Sequence, residues 1–172
     1  MVSKKIEKLL NEQIALEGDS SQIYLSMASW AEAKGFEGVS GFLYAHAEEE
    51  KSHMLKLIHF VNERGGKAIV PAISKPKSDF SSLRQIFEML YKHEVMISGR
   101  INNLVKACLQ EGDFTTQSFL QWYVNEQIEE EALARGIIDK LDMIGNDKGG
   151  LYLFDRDIVN LASPGAGSQA GQ

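Results

Sequence analysis

The sequence predicts an all-α fold: a four-helix bundle built from two antiparallel hairpins joined by a long crossover, with a short fifth helix at its C-terminal end. Three observations carry this. Four stretches, roughly 4–33, 37–64, 81–110 and 115–144, repeat apolar residues at alternating three- and four-residue spacing. The three prolines, Pro71, Pro76 and Pro164, all lie outside those stretches. Two of the joints between stretches are tight, and one is long.

The first stretch places Ile6, Leu10, Tyr24, Met27 and Ala31 on one face, and "KGF" (34–36) folds the chain back into a second stretch carrying Val39, Leu43, Leu57 and Phe60. The connection "GGKAIVPAISKPKSDF" (65–80) follows. A 28-residue helix spans about 42 Å and 16 extended residues reach about 50 Å, so this segment can cross the whole bundle and leave the second and third helices parallel. "SDFSSLRQ" offers serine or aspartate caps to the third helix, whose face carries Leu83, Phe87, Leu90, Ile97, Ile101, Leu104 and Cys108. "EGD" (111–113) makes the second tight turn into a fourth stretch with Leu120, Tyr123, Ala134, Ile137 and Leu141. After "GNDKGG" an apolar segment, "LYLFDRDIVNLA" (151–162), reads either as a helix of about three turns or as an extended arm. The domain reading is therefore a bundle over 1–145, a short helix over 146–162 that packs at a subunit interface, and a disordered tail over 163–172.

Composition excludes several function classes. The chain of 172 residues suits a single domain with a sizeable core, and its 44% hydrophobic and 24% charged residues are ordinary for a soluble protein. A net charge of −6 with no basic block argues against a nucleic-acid partner. No apolar run is long enough for a membrane span, no signal peptide is recognisable, and the lone Cys108 fits a reducing compartment, so a cytoplasmic location is expected.

Each apolar stripe is interrupted near its centre by polar residues. The interruptions are Glu17, Glu50 with His53, Glu94, and Gln127 with Glu130, each within about a turn of its helix midpoint. In a bundle of equal-length helices, midpoints meet at one level whichever way each helix runs. Four carboxylates and one imidazole should therefore converge in the core, where they would repel one another without a cation. Oxygen-rich donors with one or two nitrogens suit iron or manganese better than structural zinc. Glu50 and His53 are three apart, on one side of one helix, and can bind the same ion. Four carboxylates neutralise two Fe²⁺, which makes the expected centre dinuclear.

Other residues admit two readings each. Tyr24, seven after Glu17, either hydrogen-bonds a metal ligand or is an ordinary buried tyrosine. His46 is a core histidine or a metal-facing one, while His59 and His93 fall off the stripes and are expected in solvent. Glu49, Glu126 and Glu129 either offer a further cation site beside the pair or form a solvated acidic surface.

These motifs together, "LEGDSSQIYLSMASW", "HAEEEKSHM", "KHEVMISGRINNL", "FLQWYVNEQIEEE" and "LYLFDRDI", resemble the bacterial non-haem ferritins of the ferritin-like di-iron superfamily. The one Glu-x-x-His, "EKSH", is matched on the fourth helix by "QIEE" rather than by a second such motif, unlike bacterioferritins or rubrerythrins. The resemblance implies a ferroxidase that oxidises Fe²⁺ with O₂ or H₂O₂ and stores ferric mineral in a homo-oligomeric shell of twenty-four subunits. It implies Glu17, Glu50 and His53 around one iron, Glu94 and Glu130 on a second with Glu50 bridging, Gln127 positioning oxygen or water, and Tyr24 alongside. It further implies a third iron at Glu49, Glu126, Glu129 and Glu130, and a final helix lining the four-fold axis. Lys51 stands where bacterioferritins carry the haem-binding methionine, so haem is not expected. The competing readings are a non-storage di-iron oxidase or peroxidase on the same bundle, and a helical module without metal.

Overall fold

The computed structural model describes residues 2–161, so the expected disordered tail lies outside the described residues. The chain forms α1 (Lys4–Ala33), α2 (Glu37–Glu63), α3 (Leu83–Glu111), α4 (Phe114–Ile144) and α5 (Lys148–Ile158), followed by one 3₁₀ turn at Val159–Leu161. No strand is present among the described residues.

Local chemistry sets the helix ends. The side chains of Ser3, Ser82, Asp113 and Asp147 each accept a hydrogen bond from a backbone N–H in the first turn that follows, capping α1, α3, α4 and α5. At the two tight joints the chain turns through Gly35 (φ 81°) and Gly112 (φ 69°), a conformation that costs other residues more. The α2 helix lacks a cap of its own, because Phe36 stands at that position. Asp155 of α5 supplies one instead, its Oδ1 accepting from Val39 N–H at 2.8 Å.

Side-chain pairs fix the directions. Ser3 meets Glu111 and Tyr24 meets Glu94, so α1 and α3 are antiparallel. Tyr44 meets Glu32 and Ser21 meets the Ala47 carbonyl, so α1 and α2 are antiparallel as well, which leaves α2 and α3 parallel. The crossover runs along α1: Ile69 N–H donates to Asn11, and Ser26 donates to the Lys77 carbonyl. The α4 helix pairs with α3 through Arg84 and Asp142 at one end and Glu94 and Gln127 at the middle.

Burying the apolar stripes produces two separate core clusters rather than one. One is built around Tyr24, Phe42, Phe87, Ala134, Phe154 and Ile158, the other around Ile6, Leu10, Leu57, Ile97, Leu120 and Tyr123. The buried Glu17, Glu50, His53, Glu94, Gln127 and Glu130, drawn from all four long helices, lie in the layer between them. The α5 helix begins at Lys148, inside the "GNDKGG" stretch expected to be a break, because Asp147 caps it there. It buries Phe154 and Ile158 against its own bundle and leaves Tyr152 and Leu153 exposed, as is Val159 of the 3₁₀ turn that follows.

Candidate metal centre

The layer between the clusters contains Glu17, Glu50, His53, Glu94, Gln127 and Glu130, all buried. Each stands on an apolar stripe, so its helix can bury its remaining apolar face only by turning the polar side chain inward. One donor atom each from Glu17, Glu50 and His53 fall within 4.8 Å of one another. His53 Nδ1 is 3.5 Å from Glu50 Oε2 and 4.0 Å from Glu17 Oε2. Across the layer Glu94 accepts from the Tyr24 hydroxyl and, at 3.0 Å, from Gln127 Nε2. Gln127 also donates to the Glu94 backbone carbonyl at 3.2 Å, so it holds Glu94 directly.

Burial dominates the electrostatics. It pushes Glu17 well above the usual carboxylate range, and the charge of Glu50 adds to this. Glu50 is raised for the same first reason, against the lowering effect of its hydrogen bond with Glu17 and with the charges of Glu94, Glu130 and Glu49 adding to the rise. Glu94 is pushed up to about 7 by burial, against the lowering effect of its Tyr24 and Gln127 hydrogen bonds. Protein donors are too few to hold so many anions in a dry layer.

The unpaired polar atoms make the same point. Among the described residues, the buried side-chain atoms without a hydrogen-bond partner are Glu17 Oε2, His46 Nε2, His53 Nδ1, Tyr123 OH, Trp122 Nε1 and Arg64 Nε. All but Arg64 belong to this layer or its wall: Trp122 stacks on Tyr123 at 4.5 Å and lies 5.2 Å from His53. Orphaned buried polar groups are rare in folded proteins, and three of these, Glu17 Oε2, His46 Nε2 and His53 Nδ1, offer the oxygen and nitrogen lone pairs that a hard or borderline cation requires.

A second group adjoins the first. His46, Glu49 and Glu130 bring donor atoms within 4.8 Å of one another, as do Glu49, His53 and Glu126. His46 Nε2 approaches Glu130 Oε2 at 3.4 Å. Burial, then the charge of Glu130, raises Glu49; burial also raises Glu126. Glu129 is exposed and joins neither group.

Three features differ from the sequence expectation or went unread there. His93 is half-buried rather than solvated, with Nε2 2.7 Å from Ser20 Oγ and its ring edge-on to Tyr24, because α1 and α3 approach closely enough to enclose a residue one step off the stripe. Gln13, one turn before Glu17, donates to it. Tyr123, one turn before Gln127, forms the wall between Glu17 and His53. Both occupy stripe positions, and that spacing was the signal available for them.

Residues 7–144 match the family model of the ferritin-like domain. Among curated proteins the chain is 47% identical to a bacterial non-heme ferritin of Campylobacter jejuni, over 94% of this chain and 97% of that one. It is 45% identical to a probable bacterial non-heme ferritin-like protein of Haemophilus influenzae, over 95% and 99%. Among solved structures it is similar to the open pore ferritin of the archaeon Archaeoglobus fulgidus, with TM-score 0.90 and 43% identity over 92% of this chain and 96% of that one. No helix among the described residues is long and apolar enough to cross a membrane.

Proposed function

The chain belongs to the ferritin family, and from that premise we propose that it stores iron, oxidising Fe²⁺ at the centre between its core clusters and collecting Fe³⁺ inside a shell of twenty-four copies. Fe²⁺ is the substrate. Glu17, Glu50 and His53 hold one ion, and Glu94 and Glu130 hold the second, with Glu50 between them. Glu49, Glu126 and Glu130 are the donors for a third ion, with Glu129 at its exposed rim.

The chemistry follows from charge. Carboxylate oxygens interact more strongly with Fe³⁺ than with Fe²⁺, so a ligand set rich in glutamate promotes loss of an electron from each ion. O₂ takes the two electrons with two protons to leave as hydrogen peroxide; H₂O₂ itself takes two electrons and two protons to leave as water. Tyr24 and Gln127 keep Glu94 oriented, and the apolar clusters above and below exclude bulk water.

The observation that supports this reading best is the gathering of orphaned donor atoms from Glu17, His53 and His46 among buried carboxylates. Its test is paired. Glu17→Ala and His53→Ala should assemble as the parent does yet oxidise Fe²⁺ at least about a hundredfold more slowly, a loss of roughly 2.7 kcal/mol of barrier lowering. A parental oxidation rate in Glu17→Ala refutes the site. A particle of only two chains that retains no mineral refutes storage and points to an oxidase on the same bundle.

A further inference from the structure

Beyond the ligands, a hydrogen-bonded string leaves the centre between α3 and α4. Gln127 Nε2 reaches Ser98 Oγ at 3.5 Å as well as Glu94. Ser98 in turn donates its hydroxyl hydrogen to Glu131 Oε1 at 2.5 Å, and Arg135 pairs with the other Glu131 oxygen at 3.5 Å. Directions matter here. With its only hydrogen committed to Glu131, Ser98 presents just lone pairs to Gln127. The amide of Gln127 then faces three acceptors: Ser98 Oγ, the Glu94 carboxylate and the Glu94 carbonyl. The opposite amide orientation would set its carbonyl oxygen against all three. A lone glutamine amide can turn over, but one between an anion and a hydroxyl locked by a second anion is fixed.

We propose that Ser98 and Glu131 are positioning residues for the second metal ion, fixing the amide of Gln127 and through it the carboxylate of Glu94. The proposal rests on the reading of Glu94 as a ligand. Neither Ser98 nor Glu131 touches the ion. Their effect is to keep Glu94 presenting the same oxygen inward, which removes the need to order it when the ion arrives. A crevice of about 120 Å³ lies against Ser98, Asn102, Gln127 and Glu131, so an added methyl at position 98 has room.

The experiment is an anaerobic titration of the assembled protein with Co²⁺ alone, followed by its visible absorption, for the parent and four variants of parental particle size. Glu94→Ala should lose the second of the two core binding steps. Ser98→Ala and Glu131→Ala should weaken that second step about tenfold and leave the first unchanged, at the low end of what outer partners of a metal site usually contribute. Ser98→Thr, which keeps the hydroxyl, should bind as the parent does. A parental second step in both Ser98→Ala and Glu131→Ala, while Glu94→Ala loses it, overturns the proposal and leaves the centre intact. Equal weakening of both steps, or no recovery in Ser98→Thr, overturns it as well, because the residues would then act only through packing. Uptake that is indifferent to Glu94→Ala refutes the ligand reading itself.

Discussion

Tyr24 on α1 donates its hydroxyl hydrogen to the carboxylate of Glu94 on α3, joining the two hairpins at the level where both apolar cores stop. A hydrogen bond to a charged acceptor in such a place contributes about 2 kcal/mol. Tyr24→Phe removes it without changing the ring. The variant should assemble, melt several degrees lower, and bind the second Co²⁺ about tenfold more weakly than the parent. Calorimetry and metal titration on one preparation check both.

Stability without metal should fall as pH rises. Glu17, Glu50 and Glu94 are all raised in the fold, the last to about 7, so between pH 4.5 and about 7 the folded chain keeps protons that the unfolded chain has released. The contribution of Glu94 is complete below the unfolded value and is lost through that window, and those of Glu17 and Glu50 are lost in the same direction as pH rises. For Glu94 alone the loss is about 3 kcal/mol. Thermal midpoints of metal-free protein at pH 5 and pH 7.5 should differ in that sense. Divalent metal at pH 7.5 and 100 times its Kd should restore roughly 2.7 kcal/mol by binding only the folded state.

The α5 helix is held to the bundle by a tight backbone contact. A Cβ at Gly38 would lie 1.7 Å from the Asp155 carbonyl oxygen, so Gly38→Ala should force α5 away from α2. Asp155→Ala leaves the space unchanged but removes the α2 cap, worth about 1 kcal/mol. Limited proteolysis near Gly145–Asp147 should speed up strongly in the first variant and slightly in the second.

The sequence made the bundle legible because its punctuation is local. Gly35 and Gly112 turn the tight joints, and Ser82 caps α3 within the serine and aspartate run expected to do so. The convergence of Glu17, Glu50, His53, Glu94 and Glu130 was readable for the same reason: helix midpoints share a level in any arrangement of equal rods. Lateral detail was not readable. His93 lies off the stripe yet half-buried, and its environment depends on how closely α1 approaches α3. Ser98 and Glu131 carry no sequence signal, since their partnership exists only once α3 and α4 are side by side. The apolar segment read from Leu151 onward starts as helix at Lys148, because the Asp147 cap carries α5 through Gly149 and Gly150.

The central claim is that these glutamates and His53 meet inside the bundle because metal ions hold them there. Crystals of the assembled protein soaked anaerobically in ferrous salt, with diffraction recorded above and below the iron edge, test it most directly. Two anomalous peaks per chain are predicted, one beside Glu17 and His53 and one beside Glu94 and Glu130, with Glu50 between. The same side chains in place with no peak among them would contradict the account.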